Sequence, residues 1–378
     1  MKMRACGIVA EYNPFHNGHR YQIEETKKQF DGDVFVAVMS GNWVQRGEPA
    51  IIDKWARAKA AVENGIDLVI ELPYIYATQS ATQFAHGALT LLKEARIEAL
   101  SFGSECANLN NLMEIAETSI NPDHIQQILA TGMSYPRSYS LLTTSMLPND
   151  ILAVSYLKEL KDTKIKPILI PRTNAYLGDA LEPISSAFAI RKALFEKQDV
   201  GIATPMARVL ENAELHDWRA YYPYFKTLLL TTQPDRLHET FLIQEGIENH
   251  LIKQAKIADT YEEFIELATN WRYTASRIRR SMVQILHQIR KEDVTSLPPL
   301  QTLRILAFNE KGQAYLHELK KEEVSIANRF AQIPLPYRQM EYQSTLLYTS
   351  TSSKENREAL LQKEISGPLR ILNTYSKI

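Results

Sequence analysis

The run Val34 to Met39 reads Val-Phe-Val-Ala-Val-Met, six apolar residues with no polar break. A strand with one wet face would alternate, so a run like this belongs to a strand covered on both sides, as in a parallel sheet clothed by helices. Shorter runs of the same kind occur at Ala5 to Ala10, Leu68 to Leu72, Ala99 to Phe102 and Pro167 to Ile170. Helical patterns lie between them. Asp53 is placed to N-cap a helix reaching about Glu63, with Gly65 just past its end, and Ser80 to Lys93 and Asp150 to Leu160 are amphipathic. Strand and helix in alternation predict an α/β fold with a Rossmann-like, doubly wound parallel sheet over residues 1–200.

From about Val200 the pattern changes to helical periodicity: Trp218 to Leu230, Tyr261 to Ala268, Ala275 to Lys291 and Glu310 to Glu322, punctuated by Pro298, Pro299, Pro334 and Pro336. Residues 201–378 are therefore expected to form a mainly helical C-terminal domain. Tyr348 to Glu355 reads as a loop or a helix entry. At 378 residues the chain suits two or three domains. Lys and Arg number 43 against 44 Asp and Glu, which excludes a chain basic throughout but leaves room for a local basic patch. Two cysteines make neither a disulfide framework nor a Cys-based zinc site. The start, Met1 to Arg4 followed by Ala5 to Ala10, faintly imitates a signal peptide, but its apolar stretch stops at Glu11. No run approaches the ~20 apolar residues of a membrane span. A soluble, cytoplasmic protein with no obligate protein partner is the expectation.

Chemistry concentrates in Gly7 to Arg20, a loop between the first strand and a helix reaching about Phe30. Pro14 ends the extended segment, and Gly18 is read as letting a ligand approach the backbone. His16 and His19 are three apart, so at a helix start both imidazoles face one ligand. The helix N-terminus adds free N–H donors and a field favouring anions, which makes this a polyphosphate site suited to nucleotidyl transfer. Glu11 either positions Mg²⁺ or pairs with an arginine. Cys6 reads as a core residue and His86 as a helix-packing residue. Cys106 lies near the site but has no His partner for thiol catalysis.

The segment Asn13-Pro-Phe-His-Asn-Gly-His19 resembles the signature of the HxGH nucleotidyltransferase superfamily, and Ile184-Ser-Ser-Ala-Phe-Ala-Ile-Arg191 resembles its second, phosphate-holding signature. No Lys-Met-Ser-Lys-Ser-like motif accompanies them, which argues against a synthetase. Met39 to Pro49, Asp53 to Arg57, Glu71 to Pro73, Ser101 to Glu105, Pro148 to Leu157 and Asn309 to Gly312 are similar to tRNA(Met) cytidine acetate ligases, so the resemblance spans nearly the whole chain. It implies a ligase that activates acetate with ATP as acetyl-adenylate, without acetyl-CoA and with Mg²⁺. The acyl group then goes to N4 of the wobble cytidine of elongator tRNA(Met), giving N4-acetylcytidine, with AMP and pyrophosphate released. His16 and His19 become the catalytic pair. The implied ATP contacts are Gly7, Ile8, Val9, Ala10, Glu11, Tyr12, Asn13, Pro14, Phe15, His16, Asn17, Gly18, His19 and Arg20, then Gly103, Asn149, Arg172, Ser185, Ser186 and Arg191. The run after Arg172 departs from the family's Gly-Ala-Gly-Tyr-His pattern.

Trp271 to Lys291 is dense in arginine and has no acidic residue before Glu292. A helical wheel buries Ile278, Met282, Ile285, Leu286 and Ile289, and puts Arg277, Arg280, Gln284, His287 and Lys291 on another face. Arg272 and Arg279 add charge. A stripe of this kind suits the tRNA phosphate backbone, which gives tRNA-binding assignments to Arg272, Arg277, Arg279, Arg280 and Lys291. Two other functions share part of these features. One is an adenylyltransferase acting on a small phosphate-bearing cofactor precursor; the other is a non-catalytic tRNA-binding protein with a residual nucleotide pocket.

Overall fold

The computed structural model describes residues 2–118, 146–172 and 181–372. Each predicted strand forms: β1 Ala5–Ala10, β2 Val34–Ser40, β5 Leu68–Leu72, β6 Ala99–Ser104 and β7 Lys166–Pro171, with a small hairpin, β3 Trp43–Val44 and β4 Glu48–Pro49, between β2 and β5. The five long strands are parallel and lie in the order β5-β2-β1-β6-β7, so β1 is central. The chain winds outward from β1 through β2 to β5, then returns across to β6. That reversal is a topological switch point, and it opens a crevice at the carboxyl ends of β1 and β6. Burial follows the sequence pattern, for all seven residues of β2 and all five of β5 are buried.

Capping explains where the helices start. Asp53 accepts hydrogen bonds from the N–H groups of Trp55 and Ala56 at the head of α2, Lys54–Glu63, and Gly65 follows at φ 110°. The Ser80 side chain caps the helix Ala81–Glu94. Ser353 caps Lys354–Ile365, which resolves Tyr348 to Glu355 into the end of one helix and the entry to the next.

The helical second half also returns to the sheet. Leu303–Phe308, here β8, pairs antiparallel with β5, and Leu369–Arg370 (β10) and Ile326–Ala327 (β9) pair parallel with β8. The run Leu-Arg-Ile-Leu-Ala-Phe is as short and apolar as the other strands, but it sits among long helical patterns that masked it. The described residues from 201 to 372 are thus mainly helical while contributing three strands to the sheet begun by β1, β2, β5, β6 and β7. Among the described residues no helix is long and apolar enough to cross a membrane.

Candidate active site

His16 is the N-cap of α1, Asn17–Gln29, and it builds the cap from two imidazoles. The Gly18 N–H donates to His16 Nδ1 at 3.0 Å, and the His16 N–H donates to His19 Nδ1 at 3.2 Å. Because both Nδ1 atoms accept, each neutral ring carries its proton on Nε2. The rings lie 3.7 Å apart between centroids, with Tyr12 and Phe15 against His19. Burial, with Arg172 and Arg191 nearby, pushes His16 down to about 3. Burial, His16 and Arg172 hold His19 well below the ordinary imidazole range. The pair therefore offers two neutral N–H donors above the N-terminus of α1, where backbone dipoles favour an anion.

The structure gives Gly18 a further reason. A Cβ there would lie 2.8 Å from His16 Cε1 and 2.9 Å from His16 Nδ1, so the missing side chain makes room for the imidazole. Gly7 likewise yields to Leu92 and Ile97, at 2.9 and 2.7 Å. Gly103 differs: a Cβ would meet Arg172 Cγ at 3.5 Å and the Ile170 carbonyl oxygen at 3.9 Å, ordinary contacts that do not by themselves require a glycine. Of the loop residues, Arg20 points away and pairs with Glu24 at 2.9 Å on the exposed face.

The two signatures meet. Asn17 Nδ2 donates to the carbonyls of Pro183 and Ile202 at 2.8 and 2.9 Å, and Arg191 donates to the Asn13 carbonyl at 2.8 Å. Ser186 N-caps the helix Ala187–Phe195, and Ser185 Oγ accepts from Glu182 N–H at 2.6 Å; both serines are buried. At the end of β6, Glu105 accepts a hydrogen bond from the Asn149 amide and lies 3.9 Å from Arg172 Nε. The β1, β6 and β7 ends and the second signature thus converge on one crevice. Residues 173–180, where the family pattern is departed from, lie outside the described residues.

The sequence pattern of the HIGH Nucleotidyl Transferase family matches residues 3–363. The tRNA(Met) cytidine acetate ligase of Geobacillus sp. (strain WCH70) is 34% identical, over 97% of this chain and 99% of that protein. That of Limosilactobacillus reuteri (strain DSM 20016) is 39% identical over 85% and 88%. The chain belongs to the tRNA(Met) cytidine acetate ligases. Among solved structures, Thermotoga maritima TmcAL in its apo form is similar with a TM-score of 0.89 and 27% identity, covering 98% of this chain and all of that one. The form bound with alpha-thio ATP gives 0.87 and 28%, with the same coverage.

In this member of the family the loop bearing Glu11 is tied to the β3–β4 hairpin, whose Gln45 N–H donates to Glu11 Oε1 at 2.7 Å. Burial raises the Glu11 carboxyl, opposed by Gln45, Arg46 and Arg191. Arg57 is fully buried and donates to the carbonyls of Glu11, Ser40, Gly41 and Ile52, fixing the ends of β1 and β2. Glu48 bridges Arg191 at 3.5 Å and Arg279 at 3.2 Å. Glu48 and Glu105 stand inside the quoted motifs but carried no role in the sequence reading; an acidic residue beside a phosphate site looks repulsive until its arginine partners are seen.

The basic helix corrects the wheel. It spans Ala275–His287 and ends at Gln288, φ 51°; Lys291 begins a separate short helix, Lys291–Thr295. The five apolar residues are buried as expected, but so are Gln284 and His287. Gln284 Nε2 donates to Thr78 Oγ1 at 2.9 Å and Gln284 Oε1 accepts from the Tyr74 hydroxyl at 3.1 Å. His287 stacks on Tyr74 at 4.2 Å and meets the Trp43 ring at 5.2 Å. The helix is packed on two sides, which a single buried stripe cannot reveal. Arg279 is turned to Glu48 and the Tyr261 hydroxyl, while exposed Arg272 lies 3.6 Å from Glu245. Cys6 is buried, its thiol pushed up to about 12 by desolvation. His86 is exposed and pairs with Glu159 at 3.2 Å.

Proposed function

We propose that this chain activates acetate with ATP as acetyl-adenylate and transfers the acetyl group to N4 of the wobble cytidine of elongator tRNA(Met). The paired neutral imidazoles at the head of α1, joined through Arg191 to the second signature, carry this reading. An acetate oxygen attacks the α-phosphorus, the bond to the bridging oxygen breaks, and pyrophosphate leaves. The Nε2–H groups of His16 and His19 donate to the α-phosphoryl oxygens as charge builds there, and Ser185, Ser186, Arg191 and the α1 N–H groups hold the leaving phosphates. Gly103, Asn149 and Arg172 border the remaining nucleotide. The cytidine amine then attacks the acetyl carbonyl, the N4 proton is lost, and AMP departs. An aromatic amine is a weak nucleophile, so proximity must do much of the work.

Among the described residues no group of three or more His, Cys, Asp or Glu gathers as a metal site. Mg²⁺ bound chiefly by ATP oxygens with at most one carboxylate, Glu11, fits this surrounding and would supply charge neutralisation. Residues 1–200 carry the nucleotide chemistry in this proposal, and residues 201–378 hold the tRNA, in the cytoplasm. The test is acetate-dependent exchange of pyrophosphate into ATP, followed by label transfer from acetate to tRNA. AMP and pyrophosphate are the expected products. A requirement for acetyl-CoA, or formation of ADP and phosphate, would overturn the adenylate; absence of acetate-dependent exchange would favour an adenylyltransferase acting on another substrate.

A further inference from the structure

The β3–β4 hairpin seats the basic helix against the catalytic loop. Gly47, at φ 73°, has room for no side chain, because a Cβ would lie 2.4 Å from Arg280 N and 2.5 Å from Arg279 C. Two residues earlier, Gln45 is bonded to Glu11 of the loop that carries His16 and His19. One tight hairpin therefore separates the Arg279–Arg280 turn from the loop that carries His16 and His19. Five arginines meet around it: Arg46, Arg191, Arg277, Arg279 and Arg280. Among the described residues Glu48 serves Arg191 and Arg279, and Glu11, which lies near Arg46 and Arg191, already accepts from Gln45.

Arg277 and Arg280 are left over. The buried Arg277 Nε has no hydrogen-bond partner, and the charges that act on the Arg280 guanidinium are those of Arg277 and Arg46, both of its own sign. Desolvation, reinforced by Arg277 and Arg46, pushes Arg280 down to about 10. Removing like charges from water without a counter-ion is unfavourable, and an anion placed among them reverses the sign of that cost. The chain as a whole carries a net charge of −1, so this cluster is local.

We propose that Arg277 and Arg280, with Arg46 beside them, clamp the backbone phosphate next to the cytidine that is acetylated. This rests on the proposed function. A base whose amine must reach the acyl-adenylate has to leave its stack, and that step favours a fixed grip on the flanking backbone. The cluster lies one hairpin from the chemistry, so the phosphates adjacent to that base are those within its reach. A distant tRNA-docking face would not need to touch Gly47. The other source of the same anion is the triphosphate of ATP, and the experiment separates the two.

Acetyl transfer is measured on a short RNA hairpin carrying the target cytidine, with either flanking phosphate replaced by a neutral methylphosphonate, using wild type, Arg280→Gln and Arg280→Lys. A charge-assisted contact of this kind predicts that Arg280→Gln weakens transfer kcat/KM roughly 10- to 100-fold on the native hairpin. One of the two methylphosphonates should weaken wild type by a similar factor and weaken Arg280→Gln little further, while Arg280→Lys recovers much of the loss. Additive losses at both flanking phosphates would overturn the clamp. So would an equal loss in RNA-free pyrophosphate exchange, which would place the anion on ATP. Should Arg280→Gln melt early, Arg277→Gln runs the same cycle with the same two outcomes. Failure of the proposed function itself reads differently, as absence of transfer by wild type.

Discussion

His16 does two jobs that can be pulled apart. It caps α1 through Nδ1, which leaves Nε2–H as the ring's donor for the proposed phosphate contact. Alanine removes both, and the cap alone is worth about 1 kcal/mol. Asparagine keeps a capping oxygen, so His16→Asn should melt near wild type yet lose about 10²–10³ in acetate-dependent exchange, the scale for a transition-state donor. Exchange within a few-fold of wild type would remove His16 from the reaction. Gly18→Ala is the complementary probe. Its Cβ presses on the His16 ring from 2.8 Å, so exchange should fall at least ten-fold by displacement of the imidazole (roughly 1.4 kcal/mol in the barrier). The Asn17 and His19 side chains are untouched. Normal exchange in this variant would show that the ring's position is not critical.

At the scale of elements, the helix Ala275–His287 carries a buried histidine that links stability to pH. Burial pushes His287 down to about 3, its Nδ1–H donating to the Val283 carbonyl at 2.8 Å. The unfolded chain binds the proton near 6.5, so between about 6.5 and 3 the unfolded state holds more protons and stability falls as pH falls. At pH 5 this one group costs about 2 kcal/mol relative to pH 8. Urea unfolding of His287→Gln should show a shallower loss between pH 8 and 5 than wild type, whatever its absolute stability. Equal slopes would mean that His287 titrates alike in both states. The wheel missed this residue because two-sided burial leaves no polar face at its position, whereas Ile278, Met282 and Ile285 behaved as their spacing required.

Across the whole molecule, a buried charge network ties the C-terminal helix to the sheet. Glu364, fully buried, accepts from Thr345 Oγ1 at 2.9 Å and lies 2.9 Å from Lys54 and 2.7 Å from Arg304. Glu71 at the end of β5 pairs with the same two cations, at 2.6 and 2.7 Å. Residues from 54 to 364 are thereby held in one low-dielectric cluster. Glu364→Ala would leave the two buried cations with Glu71 and with Glu341, whose carboxyl burial and Glu71 push up to about 8, and should cost about 3–5 kcal/mol, measured by urea unfolding. A loss below 1 kcal/mol would mean the cluster is wetter than its burial indicates. Because β8 extends the sheet from β5, the same loss should accompany weaker nucleotide binding, an effect that a freely hinged pair of domains would not give.

Local chemistry made much of this protein legible in advance. Unbroken apolar runs gave the five parallel strands, Asp53 and Ser80 gave helix starts, and the spacing of His16 and His19 gave two rings on one turn, because each depends only on neighbours within a few residues. The partners of the charged residues were not legible. Glu48 lies 143 residues from Arg191 and 231 from Arg279 (191−48 and 279−48), and Glu71 meets Arg304 across β5 and β8. Whether a carboxylate repels a phosphate or holds the arginine that binds it depends on such long-range meetings. Periodicity likewise tells how a helix faces one neighbour, while the second layer over Gln284 and His287 comes from the Trp43 hairpin and the Tyr74 turn, more than two hundred residues earlier. Residue types and local spacing determined the strands, the caps and the imidazole pair; only packing in three dimensions decided which charges are neutralised and which are left to meet a ligand.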